Sequence, residues 1–197
     1  MTVADILDEK FREWTQGKNA IEARVNIYQK IRDIPYAIIP RLNHAERYIE
    51  ILSLGKGSCT PKHFLLGNMF QRLGMLVLFA VYPYKWGEWD PAGIQHFSRL
   101  WQLAQEQPMS YHLACKVEIS SKLVLVDATL DSRLKRFGFP VNDDWDGFSD
   151  TELPVNPCGE EQLYHPTEAH LMQARDDEKS LAFYSELNRC FEEVRQL

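Results

Sequence analysis

Three residues of this sequence carry side chains that together can cleave or transfer an acyl group: Cys59, His112 and Asp127. In such a site a cysteine thiolate attacks a carbonyl carbon, a histidine moves the proton, and a carboxylate orients the imidazole. A free thiol has a pKa of about 8.5, so a nucleophilic cysteine needs surroundings that lower this value. The three residue types, in this order along the chain, predict a Cys–His–Asp catalytic site.

The segment around Cys59 predicts one way of lowering that pKa. Cys59 follows a turn that contains Gly55 and Gly57, and it stands two residues before Pro61, a residue that suits the first turn of a helix. The positive end of a helix lowers the pKa of a thiol, and its free N–H groups can hold an oxyanion. The sequence therefore predicts a nucleophile and part of an oxyanion hole at the start of a helix that ends at Gly74.

His112 and Asp127 fall on the two arms of a predicted β-hairpin, formed by residues 111–119 and 122–127. If Ile119 pairs with Lys122, the two side chains become diagonal neighbours on one face of the hairpin. A register slip of one residue would place them on opposite faces. Because an aspartate at the end of an apolar strand is costly unless it is paired, His112 is the expected partner of Asp127.

These motifs resemble the transglutaminase-like superfamily over residues 34–139. The stretches that carry the resemblance are Gly57-Ser-Cys-Thr60, Arg72-Leu-Gly74, Tyr111-His112 and Leu125-Val-Asp-Ala-Thr129. The resemblance implies a papain-like arrangement, in which a central cysteine-bearing helix packs on an antiparallel sheet that carries His and Asp. It also implies that Cys59 is the nucleophile, His112 the general base and acid, and Asp127 the group that orients the imidazole. Two positions differ from the family pattern: Thr60-Pro61 follow the cysteine, and Leu113-Ala114 follow the histidine.

The elements that must position this site give an α+β fold, with helices at both termini and a single domain over residues 1–197. Apolar periodicity predicts helices over 3–14, 20–31, 59–73, 93–105, and from Thr167 or later to Arg195. A further strand is predicted over Met75–Tyr84, and an acidic loop runs to about Pro166. The core of the domain is expected within residues 34–139.

Two other groups of residues allow a metal-binding interpretation. Cys59 and His63 have a zinc-ligand spacing, but their imagined partners His112 and Cys115 would point to opposite faces of a strand. The acidic segment 142–150 is suggestive of a calcium loop, although Asn stands first and Leu twelfth, so a solvated loop is preferred. The sequence therefore predicts no metal and no cofactor.

The remaining aromatic and cysteine side chains leave alternatives open. Trp145 either caps the active site or anchors its loop on the core. The aromatic residues near strand 75–84 either shape a substrate pocket or pack in the core, and they are Phe79, Tyr82, Tyr84, Trp86 and Trp89. The same core interpretation is preferred for Phe183, Tyr184 and Phe191. Cys115, Cys158 and Cys190 are expected to be free thiols.

Composition excludes several classes of partner. The formal charge is −6, from 22 basic and 28 acidic residues, and there is no basic stripe, which argues against nucleic acid. The most apolar segment, Met75–Tyr82, is too short to span a bilayer, and the N-terminus lacks the apolar stretch of a signal peptide. A cytoplasmic protein is expected, without a membrane partner.

The function expected from these features is an amide or peptide hydrolase, or an acyltransferase, that works through a thioester acyl-enzyme. Its substrate would be a peptide, a protein or a small amide. The alternative is a binding or scaffold protein that keeps the fold without catalysis. Acetyl transfer in the manner of arylamine N-acetyltransferases is a third and weaker hypothesis. The sequence leaves the substrate and the oligomeric state open.

Overall fold

A computed structural model describes residues 2–89, 97–171 and 177–197, and it combines helices with one antiparallel sheet. The helices are α1 Val3–Thr15, α2 Ala20–Arg32, α3 Ile51–Leu54, α4 Cys59–Arg72, α5 Ser98–Gln105 and α6 Glu178–Gln196. The strands are β1 Val77–Tyr84, β2 Ser110–Ile119, β3 Lys122–Val126 and β4 Gln162–Tyr164. Residues 93–96 of the helix predicted over 93–105 lie outside the described ranges. Within those ranges, no helix combines the length and the apolar composition needed to cross a membrane.

The two N-terminal helices begin where local capping chemistry places them. The side chain of Thr2 accepts the N–H of Asp5, whose carboxylate in turn accepts the N–H of Thr2. Asn19 and Glu22 form the same reciprocal pair at the start of α2. Such a capping box satisfies backbone donors that the helix itself leaves unpaired. Both helices, and helices at the two ends of the chain, were predicted and are confirmed.

The sheet has the strand order β3–β2–β1–β4, and every neighbouring pair is antiparallel. In the hairpin, Ile119 pairs with Lys122, which is the register that makes His112 and Asp127 diagonal neighbours on one face. The turn residues Ser120 and Ser121 have φ values of 52° and 63°, the left-handed conformation that a two-residue hairpin turn of type I′ needs. The turn therefore locks the register on which the relation between His112 and Asp127 depends.

Strand β4 was not predicted, because the whole segment before Pro166 was interpreted as a loop. It pairs three residues with β1, with Phe79 opposite Tyr164. Gln162 and Leu163 are exposed, so this strand has no buried face and no alternation that would reveal it. Its pairing follows from the free backbone edge of β1, which the sequence of the segment itself does not encode.

Helix α4 lies against β1 and β2 and joins the sheet to α2. The ring of Phe64 packs on that of Phe79, with centroids 5.1 Å apart. Four further side chains of α4 are fully enclosed: Leu65, Leu66, Met69 and Phe70. Since burial of each contributes about 1.5–3 kcal/mol, these side chains anchor α4, and with it Cys59, firmly in the core.

Candidate active site

The segment before α4 fixes the backbone of Cys59. Gly55 has a φ of 65°, a conformation that glycine adopts without strain. Gly57 then forms a parallel bridge with Tyr36, and a Cβ atom at Gly57 would lie 2.7 Å from Cγ2 of Ile51. Glycine is required here because of this close approach. The two glycines thus allow the turn that precedes Cys59. Cys59 is the first residue of α4, and its position at the start of a helix was predicted.

The first turn of α4 offers backbone donors to the space in front of Cys59. Ser58 is the residue that precedes the helix, yet no side-chain hydrogen bond caps the helix there. The Ser58 hydroxyl instead donates to Oδ1 of Asn43, at 2.8 Å. Pro61 has no N–H, so the amides of Cys59 and Thr60 are the ones that face outward from this helix end. An anion at this position would meet both of these amides and the positive end of the helix.

His112 and Asp127 form a buried ion pair on the hairpin. Nε2 of His112 lies 2.5 Å from Oδ2 of Asp127, and each residue is 2% exposed. The other carboxylate oxygen accepts the N–H of Thr129 at 2.9 Å, and the Asp127 N–H donates to Oγ1 of Thr151 at 2.8 Å. The carboxylate is therefore held on both sides, so it fixes the orientation of the imidazole. Because Nε2 faces Asp127, Nδ1 is the ring nitrogen left for the thiol.

The electrostatics of Cys59 and His112 favour a thiolate–imidazolium pair. Burial alone would lower the pKa of His112, but the charge and hydrogen bond of Asp127 raise it to about 10. Burial alone would raise the pKa of Cys59, but the hydrogen bond and charge of His112, with the N–H of Leu113, bring it below its ordinary value. Burial opposes ionisation of Asp127, yet His112 holds the pKa of this carboxyl below its ordinary value. The structure thus brings all three predicted residues together.

His63, which the sequence offered only as a zinc ligand, connects the cysteine to the aspartate segment. Its Nδ1 lies 2.8 Å from the carbonyl oxygen of Cys59, and its Nε2 accepts the N–H of Ala128 at 3.0 Å. Burial lowers the pKa of His63 to about 4, so the ring is neutral and donates from Nδ1. Both ring nitrogens are used, which removes His63 from the imagined zinc site. Its contacts hold the peptide of Cys59 against the residue that follows Asp127.

Lys62 is a second unpredicted link at the same end of α4. Its Nζ donates to the carbonyl oxygens of Arg32, Ile34 and Thr129, at 2.7, 2.9 and 2.7 Å. The side chain is fully buried, and burial lowers its pKa to about 7. Three acceptors match the three N–H groups of the ammonium form. Lys62 therefore ties α4 to the end of α2 and to the chain that leaves β3.

A cavity of about 490 Å³ opens in front of Cys59. Its polar wall near the sulphur includes Asn43, Ser58 and Thr60. Six aromatic side chains also line it, and they are Tyr36, Tyr84, Trp86, Tyr111, Tyr164 and Tyr184. Among described residues, Nδ2 of Asn43 has no hydrogen-bond partner, although the residue is only 6% exposed. The cavity thus presents an unused amide donor close to the nucleophile.

The aromatic residues were expected either to shape a substrate pocket or to pack in the core, and the structure shows both. Tyr84 and Trp86 line the cavity and also belong to the core, and Tyr184 lines the cavity while packing against that core. Four others belong to the core alone: Phe79, Trp89, Phe183 and Phe191. The Tyr82 hydroxyl donates to Glu161. Trp145 packs between Tyr28 and Phe70, with centroids 4.9 and 6.1 Å away, so it anchors its loop.

The acidic loop and the other cysteines agree with the simpler interpretations. Oδ1 of Asp146 accepts the N–H groups of Phe148 and Ser149, so the suggested calcium loop uses this carboxylate to form a turn. The side chain of Asn142 bonds to the backbone of Glu152 in both directions. Cys115, Cys158 and Cys190 are all free thiols, and only Cys158 is exposed.

Asn43, Tyr36 and His63 complete the site, but sequence reasoning missed their roles. Asn43 and Tyr36 lie far before Cys59, in a stretch of short 3₁₀ turns with no hydrophobic period to place them. For His63 a signal existed: at four residues after Cys59 on a helix, its ring can reach the Cys59 carbonyl.

Comparison with known proteins gives no match: no family model, no curated protein and no solved structure matches the chain. The likeness to transglutaminase-like proteins therefore rests on the short motifs around Cys59, His112 and Asp127. What the site does has to be inferred from its geometry.

Proposed function

We propose that the protein is a cysteine-dependent hydrolase of amide or peptide bonds, with a transglutaminase-like and papain-like arrangement of its site. The observation that carries this proposal is the buried imidazole of His112, which has Asp127 on one nitrogen and the Cys59 thiol on its other side. A cysteine helix packed on an antiparallel sheet supports the arrangement. A purely structural cysteine would not need an oriented, charged imidazole beside it.

The first half of the reaction forms an acyl-enzyme. The thiolate sulphur of Cys59 attacks the amide carbon, a C–S bond forms, and the carbonyl π electrons move to the oxygen. The N–H groups at the start of α4 stabilise this oxyanion. As the C–N bond breaks, the imidazolium of His112 gives its proton to the departing nitrogen, and the amine leaves. A thioester to Cys59 and a neutral imidazole remain.

The second half uses water as the acceptor. Neutral His112 takes a proton from water while the oxygen attacks the thioester carbon. The C–S bond then breaks, a carboxylic acid leaves, and the thiolate–imidazolium pair is restored. An amine in place of water would give acyl transfer through the same steps. We propose hydrolysis because no lining residue of the described cavity is aspartate or glutamate, either of which would attract a cationic amine.

Asn43 is proposed as the side-chain donor of the oxyanion hole. Its Oδ1 is occupied by the hydroxyl of Ser58, the residue directly before the nucleophile. Asn43 also lines the cavity, and its Nδ2 has no acceptor among the described residues. A neutral amide donor aimed at the place where charge develops is the kind of group that accelerates acyl transfer.

Alkylation kinetics with iodoacetamide test the activated thiol. We expect Cys59 to react with a rate that rises with pH and is half-maximal below the pKa of an ordinary free thiol, about 8.5, because His112 lowers the pKa of Cys59. Exposed Cys158 provides an accessible comparison thiol in the same chain. Peptide mass spectrometry resolves the two rates, and Cys59→Ala identifies the fast-reacting site.

The variant Asp127→Asn tests the role of the carboxylate. Without the negative charge, the pKa of His112 falls and that of Cys59 rises, so the alkylation profile moves to higher pH by at least about one unit. Amide hydrolysis in the parent protein should rise through the thiol pKa and fall near pH 10, where His112 loses its proton.

The alternative is a scaffold protein that binds a ligand in the cavity without turnover. That function is supported if Cys59 is alkylated no faster than Cys158 and Asp127→Asn leaves the profile unchanged. Both results together would contradict the hydrolase proposal, because they remove the activated thiolate on which it depends.

A further inference from the structure

The cavity in front of Cys59 is lined without fixed charge. Among the described residues that line it there is no aspartate, glutamate, lysine or arginine. Cys59 and His112, the two ionisable groups of the reaction that line the cavity, are opposite in charge, and the carboxylate of Asp127 lies behind the imidazole and outside the lining. A cavity wall of this kind offers no counter-ion to a charged group, which would lose much of its hydration on entry.

Uncharged polar groups line the cavity instead, and tyrosine hydroxyls are among them. Tyr36 and Tyr84 are each 5% exposed and line the cavity, and neither hydroxyl has a hydrogen-bond partner among described residues. Burial raises the pKa of both phenols, so they stay neutral and can donate or accept. Two buried hydroxyls with unused bonding capacity favour a ligand that carries neutral polar groups.

Two large side chains with apolar surface line the exposed part of the cavity. Met109 and Tyr111 are 43% and 58% exposed and line it at the start of β2. Deeper in, the rings of Tyr84 and Trp86 pack edge to face, with centroids 5.1 Å apart. Aromatic walls of this kind contact flat or long apolar side chains over a large area.

From these walls we infer the substrate class: the acyl donor is an uncharged peptide or amide whose acyl residue has an aromatic or a neutral polar side chain. This inference rests on the proposed hydrolase function and adds a selectivity to it. Anionic and cationic acyl residues are rejected because the cavity gives them no partner. The neutral hydroxyls and the aromatic rings contact the accepted ones.

Four N-acetyl aminocoumarin amides test the selectivity, with phenylalanine, glutamine, glutamate or lysine as the acyl residue. Glutamine and glutamate have the same shape and differ in charge, so they form the decisive pair. We expect kcat/KM for the phenylalanine and glutamine amides to exceed that for the glutamate and lysine amides by at least about 10-fold. Equal kcat/KM values for the glutamine and glutamate amides, and for the phenylalanine and lysine amides, would overturn the inference and leave the hydrolase proposal intact.

A single charge placed at the mouth provides an independent test. Met109→Lys introduces a cation at an exposed lining position, and Met109→Gln is the neutral control of similar length. We expect Met109→Lys to lower the ratio of kcat/KM for the glutamine amide to that for the glutamate amide several-fold. Met109→Gln should leave this ratio unchanged. The same shift in both variants would contradict an electrostatic origin of the selectivity.

Chloromethyl ketones with the same four side chains separate the two proposals, because they alkylate Cys59 without hydrolysis. A neutral preference in labelling, without turnover of any amide, supports the cavity selectivity and contradicts the hydrolase function. Labelling that ignores side-chain charge overturns the selectivity. Labelling of Cys59 no faster than that of Cys158 overturns both.

Discussion

At the scale of single residues, the proposed chemistry depends on which groups face the reacting carbonyl. In the proposed reaction, Cys59, His112 and Asp127 would supply the nucleophile and the proton transfer, and Asn43 would supply a donor for the oxyanion. The reactivity of the Cys59 thiolate depends on His112 and Asp127, but it does not depend on Asn43. Removal of Asn43 should therefore separate the reactivity of the thiol from catalysis of acyl transfer.

The variant Asn43→Ala makes this separation measurable. We expect kcat for amide hydrolysis to fall about 100-fold, because one oxyanion donor is lost. The iodoacetamide rate of Cys59 should stay the same, since alkylation develops no oxyanion. Asn26→Ala is the matched control, because Asn26 donates its amide to the Trp14 carbonyl away from the cavity. If both rates fell together in Asn43→Ala, Asn43 would be a structural residue.

The residue types of the proposed triad could be recognised in the sequence because each has a local signal. Cys59 follows two glycines and begins a helix, and Asp127 closes an apolar strand in which an unpaired charge is costly. Asn43 and Tyr36 carry no such signal, because only the tertiary fold brings them to Cys59. His63 was visible, but its spacing from Cys59 fits a backbone hydrogen bond as well as a metal site.

At the scale of elements, the hairpin turn determines whether His112 and Asp127 meet. Ser120 and Ser121 both adopt left-handed backbone conformations, which side chains with a Cβ atom adopt at some cost. The register was predictable because the short polar break between two alternating strands leaves few ways to pair them. Strand β4 was not predictable, since three mostly exposed residues carry no pattern.

Replacement of the second turn residue tests this account of the hairpin. Ser121→Gly should raise the free energy of unfolding by about 0.5–1 kcal/mol, because glycine adopts a positive φ without strain. Ser53→Gly, at an exposed position of helix α3, is the matched control and should lower it. Urea unfolding gives both values. A loss of stability in Ser121→Gly would mean that the turn is not strained.

At the scale of the whole molecule, the N-terminal end of α4 holds separate parts of the chain together. Lys62 connects the end of α2, helix α4 and the chain after β3 through three carbonyl groups. A buried lysine with this role could not be recognised, because lysine is usually a solvated surface residue. The single-domain organisation, the cytoplasmic location and the lack of nucleic-acid binding stay predictions.

The variant Lys62→Met tests the joint with a side chain of similar length. We expect the free energy of unfolding to fall by about 3 kcal/mol or more, because three buried carbonyl groups lose their donor. Lys56→Met, at an exposed position shortly before α4, should change it by less than about 0.5 kcal/mol. Urea unfolding compares the two. Equal effects would mean that Lys62 contributes nothing beyond its apolar stem.

The type I′ turn also bears on the order in which the site assembles during folding. His112 and Asp127 are 15 residues apart on one hairpin, and hairpins form within about 1–10 μs. Cys59 meets them only when α4 packs on the sheet. This contact closes a much longer loop of chain, so we expect it to form later. We therefore expect the cysteine of a half-folded chain to be an ordinary thiol. Newly made protein would then be spared the oxidation and cross-linking that an activated thiolate invites.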